Sequence, residues 1–197
     1  GGGLVVGNRD KERLVEIVRA RADGHDVGES GDKPRRSLFR TRALLKIQEG
    51  CSQRCSFCVV PRVRGRKRSR SLEEVVSEVK TRVTEGYREV VLTGTRIGSY
   101  SQNGGLRGLV ERILKESDVQ RIRLSSLEPC DLNPEMLSLW KDNRLCPHVH
   151  LPLQSGCDSV PQRMGRPYST ADYERAAALA REAISSLALT SDIMVGF

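Results

Sequence analysis

The sequence predicts an α/β protein whose parallel strands curl into an open, partial TIM-like barrel. Three observations predict it. Strand-like apolar runs, polar loops and amphipathic helices recur in that order over residues 38–197, and such alternation builds parallel sheets through right-handed crossovers. Five strands are readable in that span, too few to close an eight-stranded barrel. Every polar motif follows a strand, at the end where parallel α/β sheets carry their ligand groups.

The elements follow in order. A strand at 43–47 leads straight into three closely spaced cysteines. SLEE at 71–74 reads as a capping box, and Leu72, Val75, Val76, Val79 and Val83 then fall at helical spacing until Gly86 stops the helix. A strand at 89–92 precedes the loop Thr93, Gly94, Thr95 and a helix at 106–115. A strand at 121–124 precedes SSLEP at 125–129, and Asn133 and Pro134 open a short helix. A strand at 148–153 runs into Gln154, Ser155 and Gly156; a helix at 171–184 and a last strand at 187–195 follow. Upstream, a short strand at 4–6 and a helix at 11–21 precede residues 23–37, a glycine- and charge-rich stretch without apolar period. That composition is a linker's. The expected organisation is 1–22 as the tail of an upstream domain, 23–37 as linker and 38–197 as the core domain. Three opening glycines without Met, and a last residue inside an apolar segment, read as an internal piece of a longer protein.

Composition narrows the class. With 38% hydrophobic and 4% aromatic residues among 197, the chain can bury one core and is expected to be a soluble monomer. It shows neither a signal peptide nor an apolar run long enough for a membrane span, so a reducing, cytoplasmic setting is expected. Clustered cysteines in such a setting bind metal more often than they pair. The net charge of +8, from 33 Lys and Arg against 25 Asp and Glu, favours a polyanionic partner. Six of the nine residues of RVRGRKRSR at 62–70 are basic.

Cys51, Cys55 and Cys58 stand in the run CSQRCSFC. Three thiolates on one tight loop can hold three irons of a 4Fe-4S cluster and leave the fourth iron open for chemistry. A structural zinc ion needs four ligands, commonly from two paired hooks. No second hook exists: Cys130, Cys146 and Cys157 are isolated, His148 and His150 alternate on a strand, and His25 lies in a polar stretch.

The CxxxCxxC spacing, with Phe57 just before the last cysteine, resembles the radical S-adenosylmethionine (radical SAM) superfamily. Residues 38–197 are similar to the radical SAM core of the methylthiotransferases, an incomplete (β/α)6 barrel. VLTGTRIGSY at 91–100 and RLSSLEP at 123–129 look most like the branch acting on N6-threonylcarbamoyladenosine beside the tRNA anticodon. HLPLQSG at 150–156, with Arg163, Met164, Arg166 and Tyr168, is shared more broadly in the family.

The resemblance implies roles. Cys51, Cys55 and Cys58 hold the cluster; SAM on the open iron yields a 5'-deoxyadenosyl radical that takes hydrogen from C2 of the adenine. A second 4Fe-4S cluster, on cysteines of an upstream domain, takes part in methylthio delivery, so the piece alone is expected to cleave SAM without completing the transfer. Phe57 packs by the SAM adenine, or is plain core. Thr93 and Gly94 stand where many radical SAM proteins carry a Gly-Gly-Glu run for the methionine amino group. Ser126, Glu128, Gln154 and Arg166 face polar groups of SAM, and Asp192 lines the mouth; strand-end caps and turns use the same residue types. The partners implied are a tRNA anticodon stem-loop, its phosphates held by the basic run, and an electron donor such as flavodoxin or ferredoxin. Three function classes fit: a tRNA-modifying enzyme, a radical SAM enzyme acting on another substrate such as a ribosomal protein, and a metal-stabilised nucleic-acid-binding module.

Overall fold

The computed structural model describes residues 13–16 and 41–197. The chain divides into two units, Gly1–Phe39 and Arg40–Phe197. Residues 14–16 are helical and exposed, with Arg13 paired to Glu16 at 3.2 Å. The strand expected at 4–6, the rest of the helix at 11–21 and the linker at 23–37 lie outside the described residues.

In the second unit the strands are β1 (Arg42–Glu49), β2 (Arg68–Ser69), β3 (Glu89–Gly94), β4 (Arg121–Leu124), β5 (His148–His150) and β6 (Ala188–Thr190). The α-helices are α1 (Val60–Val63), α2 (Leu72–Thr84), α3 (Gly105–Glu116), α4 (Pro134–Leu137), α5 (Ser159–Met164) and α6 (Thr170–Ala183). β1 pairs in parallel with β3, and β3 with β4. β5 and β6 form a second parallel pair. The two sheets join where Ser126 bridges His150 and the Leu127 N–H donates to the His150 carbonyl at 3.0 Å. The result is the expected open half-barrel of five parallel strands. One strand was not expected: β2 lies antiparallel on the outer edge of β1, and its two residues carry no readable period.

Alternation along β1 explains the layering. Ala43, Leu45 and Ile47 are buried against the helices, whereas Leu44 is 61% exposed on the concave face. Val75, Val76 and Val79 of α2 and Leu109, Val110 and Ile113 of α3 close the other side of that core. Each such side chain contributes about 1.5–3 kcal/mol by leaving water. Both halves of the capping box form: Ser71 Oγ accepts from the Glu74 N–H and Glu74 accepts from the Ser71 N–H. Gly86, at φ +91°, follows the end of α2.

β5 and β6 are shorter than expected. Pairing past them continues as isolated contacts: Gln154, at φ +67°, bridges Ile193, its N–H donating to the Asp192 carbonyl at 2.9 Å and the Met194 N–H donating to the Gln154 carbonyl at 2.8 Å. Across the N-terminal ends of the strands on the concave face, Glu89 pairs with Arg42 at 3.0 Å, Arg121 at 3.0 Å and Arg123 at 2.8 Å.

Candidate active site

The cysteine loop begins at Gly50, whose φ of +73° is a left-handed conformation. A Cβ there would lie 2.3 Å from the Arg66 carbonyl oxygen, so glycine is needed for space as well as for backbone freedom. The Cys51 N–H donates to the Gly65 carbonyl at 3.1 Å, and the Cys58 N–H to the Cys55 carbonyl at 3.0 Å. On its far side the loop is tied to the end of α5: Ser56 N–H to the Met164 carbonyl at 3.0 Å and Ser56 Oγ to the Arg163 carbonyl at 3.2 Å. The three thiols are half-buried and unpaired.

Among the described residues no three His, Cys, Asp or Glu side chains converge on one metal ion position. Burial pushes the Cys55 thiol up, and the neighbouring Cys58 and Cys51 add to that while Arg166 opposes it. Cationic cluster iron removes such a penalty, since a ligating thiol is deprotonated.

The loop opens on a cavity of about 180 Å³. Cys51, Cys55, Cys58, Phe57, Ser126, Glu128 and Arg166 all line it, so seven of the expected site residues come together. Thr93, Gly94, Gln154 and Asp192 do not line it. β3 runs two residues further than its apolar pattern, so Thr93 and Gly94 are still ladder residues paired with Lys46 and Gln48. The loop that reaches the cavity starts at Thr95 and Arg96. Gln154 spends its backbone on β6-side contacts, and Asp192 accepts from His150 Nε2 at 3.2 Å while 71% of its side chain stays exposed.

Arg96 and Gln53 are the polar cavity residues that sequence reasoning missed, and Thr95 was read as part of a strand-end loop without a role of its own. The signal was present in the strand-end rule, which points to Thr95 and Arg96 once β3 is extended to Gly94.

Glu128 organises the polar wall. Its side chain is 10% exposed and binds Arg96 Nη2 at 2.6 Å, Arg166 Nη1 at 3.1 Å and Gln53 Nε2 at 3.1 Å. Burial alone would lower the Arg96 pKa, but the charges of Glu128 and Asp131 outweigh it and raise it. Glu128 is therefore occupied by protein, and the groups left over are Arg96 Nε, Arg166 Nε and Thr95 Oγ1, all buried without a hydrogen-bond partner. Orphaned buried donors cost free energy unless something accepts from them. Arg166 also lies over the Phe57 ring, 5.6 Å from its centroid. Three thiols on one loop, beside unclaimed guanidinium N–H groups and an aromatic face, fit a 4Fe-4S cluster with SAM: soft ligands for iron, donors for a carboxylate, a ring for the adenine.

Comparison with known proteins agrees. Residues 45–197 match the radical SAM superfamily. A threonylcarbamoyladenosine tRNA methylthiotransferase of Chlamydia pneumoniae is 34% identical over 98% of this chain and 45% of its own length. A tRNA-2-methylthio-N(6)-dimethylallyladenosine synthase of Geobacter sulfurreducens is 36% identical over 98% of this chain and 47% of its own. The chain thus spans about half the length of the curated relatives it matches. Among solved structures, the radical S-adenosylmethionine methyltransferase TsrM of Kitasatospora setae, with cobalamin and a 4Fe-4S cluster bound, superposes with a TM-score of 0.65 at 21% identity over 79% of this chain and 31% of that one. Methylornithine synthase superposes with a TM-score of 0.56 at 16% identity, over 79% of this chain and 44% of that one. Such likenesses show the fold. With most of its length matched, a cysteine tripod at the strand ends and a half-barrel around it, the chain belongs to the radical SAM superfamily, whose enzymes use a 4Fe-4S cluster and S-adenosylmethionine.

Proposed function

We propose that this chain is the radical SAM core of a transferase that methylthiolates C2 of N6-threonylcarbamoyladenosine next to the tRNA anticodon. One observation carries the reading: the three cysteines share a cavity with two arginines whose buried Nε groups lack an acceptor. When bound, the cluster supplies the electron for reductive cleavage of SAM. Cys51, Cys55 and Cys58 hold three irons as thiolates and leave one coordination site to the substrate side. Arg96 and Arg166 offer their free Nε–H groups to the SAM carboxylate, and Phe57 covers its adenine. A donor of the flavodoxin or ferredoxin type provides the electron to a monomeric enzyme, and residues 1–22 and 23–37 are the tail of an upstream domain and its linker.

The basic run supports an RNA substrate in a narrower form than its composition implied. Arg68 pairs with Glu49 at 3.9 Å, and Arg70 is held by Glu74 and Glu78. Arg62, Arg66 and Lys67 make no ion pair with the described residues and are exposed. These three are the phosphate contacts beside the cluster.

Segments 91–100 and 123–129 support the threonylcarbamoyladenosine branch. A second reading, dimethylallyladenosine as substrate, is favoured by relatives of that name, one of them 41% identical over 78% of this chain. Nucleoside mass spectrometry of tRNA from cells lacking the gene tests both. Loss of the 2-methylthio group from N6-threonylcarbamoyladenosine is the expected result. Loss from dimethylallyladenosine instead transfers the chain to the second reading, and loss from neither overturns tRNA as substrate.

A further inference from the structure

Gln48 is 1% exposed, the lowest value among the buried polar residues. A buried primary amide demands partners for both ends. Its Nε2 donates to the Gly50 carbonyl at 2.7 Å and to the Glu49 carbonyl at 3.1 Å, and its Oε1 accepts the Arg96 backbone N–H at 2.9 Å. One side chain thus joins the carbonyl immediately before Cys51 to the backbone of the arginine on the opposite cavity wall.

Two local features make that reach possible. The β1–β3 ladder slips between Lys46, paired with Thr93, and Gln48, paired with Gly94, which leaves Ile47 as the extra residue of a bulge. A bulge re-aims the side chains beside it. Gly94 then gives room: a Cβ there would lie 2.6 Å from the Gln48 carbonyl oxygen and 3.1 Å from both Gln48 Cβ and Oε1. Gly94 has no left-handed backbone to explain it. Its lack of a side chain makes room first for the Gln48 carbonyl oxygen at the bulge and, less tightly, for the Gln48 side chain on its way to Arg96.

We propose that Gln48 is a positioning residue of the cofactor cavity, fixing the cysteine loop against Arg96 so that the cluster and the SAM carboxylate stand in register. The proposal rests on reading the cavity as the SAM site. Neither the cysteines nor Glu128 touches Gln48 through a side chain, so cluster assembly and SAM binding should separate in its variants.

The test uses the full-length protein with Gln48→Met, which keeps length and loses the amide, and Gln48→Glu, which keeps an acceptor for Arg96 but turns an oxygen on the Gly50 carbonyl. Three quantities are read: iron and sulfide after anaerobic reconstitution, the SAM dissociation constant with the accompanying change in the spectrum of the reduced cluster, and hydrogen exchange of the Arg96 amide in metal-free protein. In Gln48→Met, iron content holds, SAM binds about tenfold more weakly, as expected for one lost buried hydrogen bond, and the Arg96 amide loses protection. Gln48→Glu restores that protection while SAM binding stays weak. Gly94→Ala reproduces Gln48→Met, although Gly94 does not line the cavity. A fall in stability and iron content with SAM affinity per cluster unchanged makes Gln48 structural only and overturns the proposal. So does an unprotected Arg96 amide in the wild-type metal-free protein. Arg96→Ala and Arg166→Ala separate the two levels: if they too leave SAM affinity unchanged, the placement of SAM is wrong; if they weaken it and Gln48→Met does not, Gln48 alone is misassigned.

Discussion

Two buried carboxylates, each ringed by arginines, sit at opposite ends of the parallel strands. At the N-terminal ends, Glu89 engages the Nε atoms of Arg42, Arg121 and Arg123, and none of those nitrogens is left over. Past the C-terminal ends, Glu128 engages Arg96 and Arg166 through their terminal nitrogens only, and both Nε atoms remain buried and unpaired beside the cysteines. The same residue types build a closed joint in one place and an incomplete one in the other. Ser125 Oγ and His148 Nδ1 are also buried without a partner, so what marks the site is that its two unpartnered guanidinium donors share one cavity with the three cysteines, past the strand ends that carry ligands.

The largest effect that bears on this contrast is expected at the tripod. Alanine at Cys51, Cys55 or Cys58 should abolish the reconstituted cluster, because one lost thiolate leaves a further iron unheld; alanine at Cys130, Cys146 or Cys157 should leave iron content unchanged. Next come the carboxylates themselves. Glu128→Gln should weaken SAM binding about tenfold or more with iron content intact, as two charge-assisted contacts fail. Glu89→Gln should leave SAM affinity alone and cost about 1–3 kcal/mol of stability by denaturant unfolding. If the two variants exchanged phenotypes, the contrast between the ends of the barrel would be wrong.

A smaller effect is carried by pH. Burial alone would raise the Glu89 carboxyl, but hydrogen bonds from Arg123 and Arg121 outweigh it and hold it below its usual range. A folded-state pKa below the unfolded one gives stability that is full above the ordinary carboxylate range and is lost as pH falls through the folded value. Unfolding midpoints measured down the acid limb should therefore fall less steeply in Glu89→Gln than in the wild type. The smallest effect is at the basic run. Alanine at Arg62, Arg66 or Lys67 should lower the slope of log affinity for tRNA against log salt by about 0.7–0.9 each, whereas Arg68→Ala should change it less.

Much of this was legible in the sequence because it is written in local patterns. The capping box of Ser71 and Glu74, the amphipathic α2 and α3, and the alternation of β1 depend on residues a few positions apart. The tripod is local too. Arg96 and Gln53 were not found, because their significance arises from Glu128, 32 and 75 residues away in the chain. The reason for glycine at 94 was not legible either: a Cβ there would collide first with the Gln48 carbonyl oxygen on the neighbouring strand, a contact no periodicity encodes. Gln154 and Asp192 were placed by the strand-end rule, which does not show that β5 stops at His150 or that Gln154 takes a left-handed backbone.

The most direct test of the central claim is anaerobic iron-sulfur reconstitution of the full-length protein followed by SAM titration of the reduced cluster, read by electron paramagnetic resonance. The account predicts a cluster dependent on Cys51, Cys55 and Cys58 whose signal shifts on SAM binding, and a shift weakened by Arg166→Ala. Tight stoichiometric zinc on the same cysteines, with no response to SAM, would contradict it.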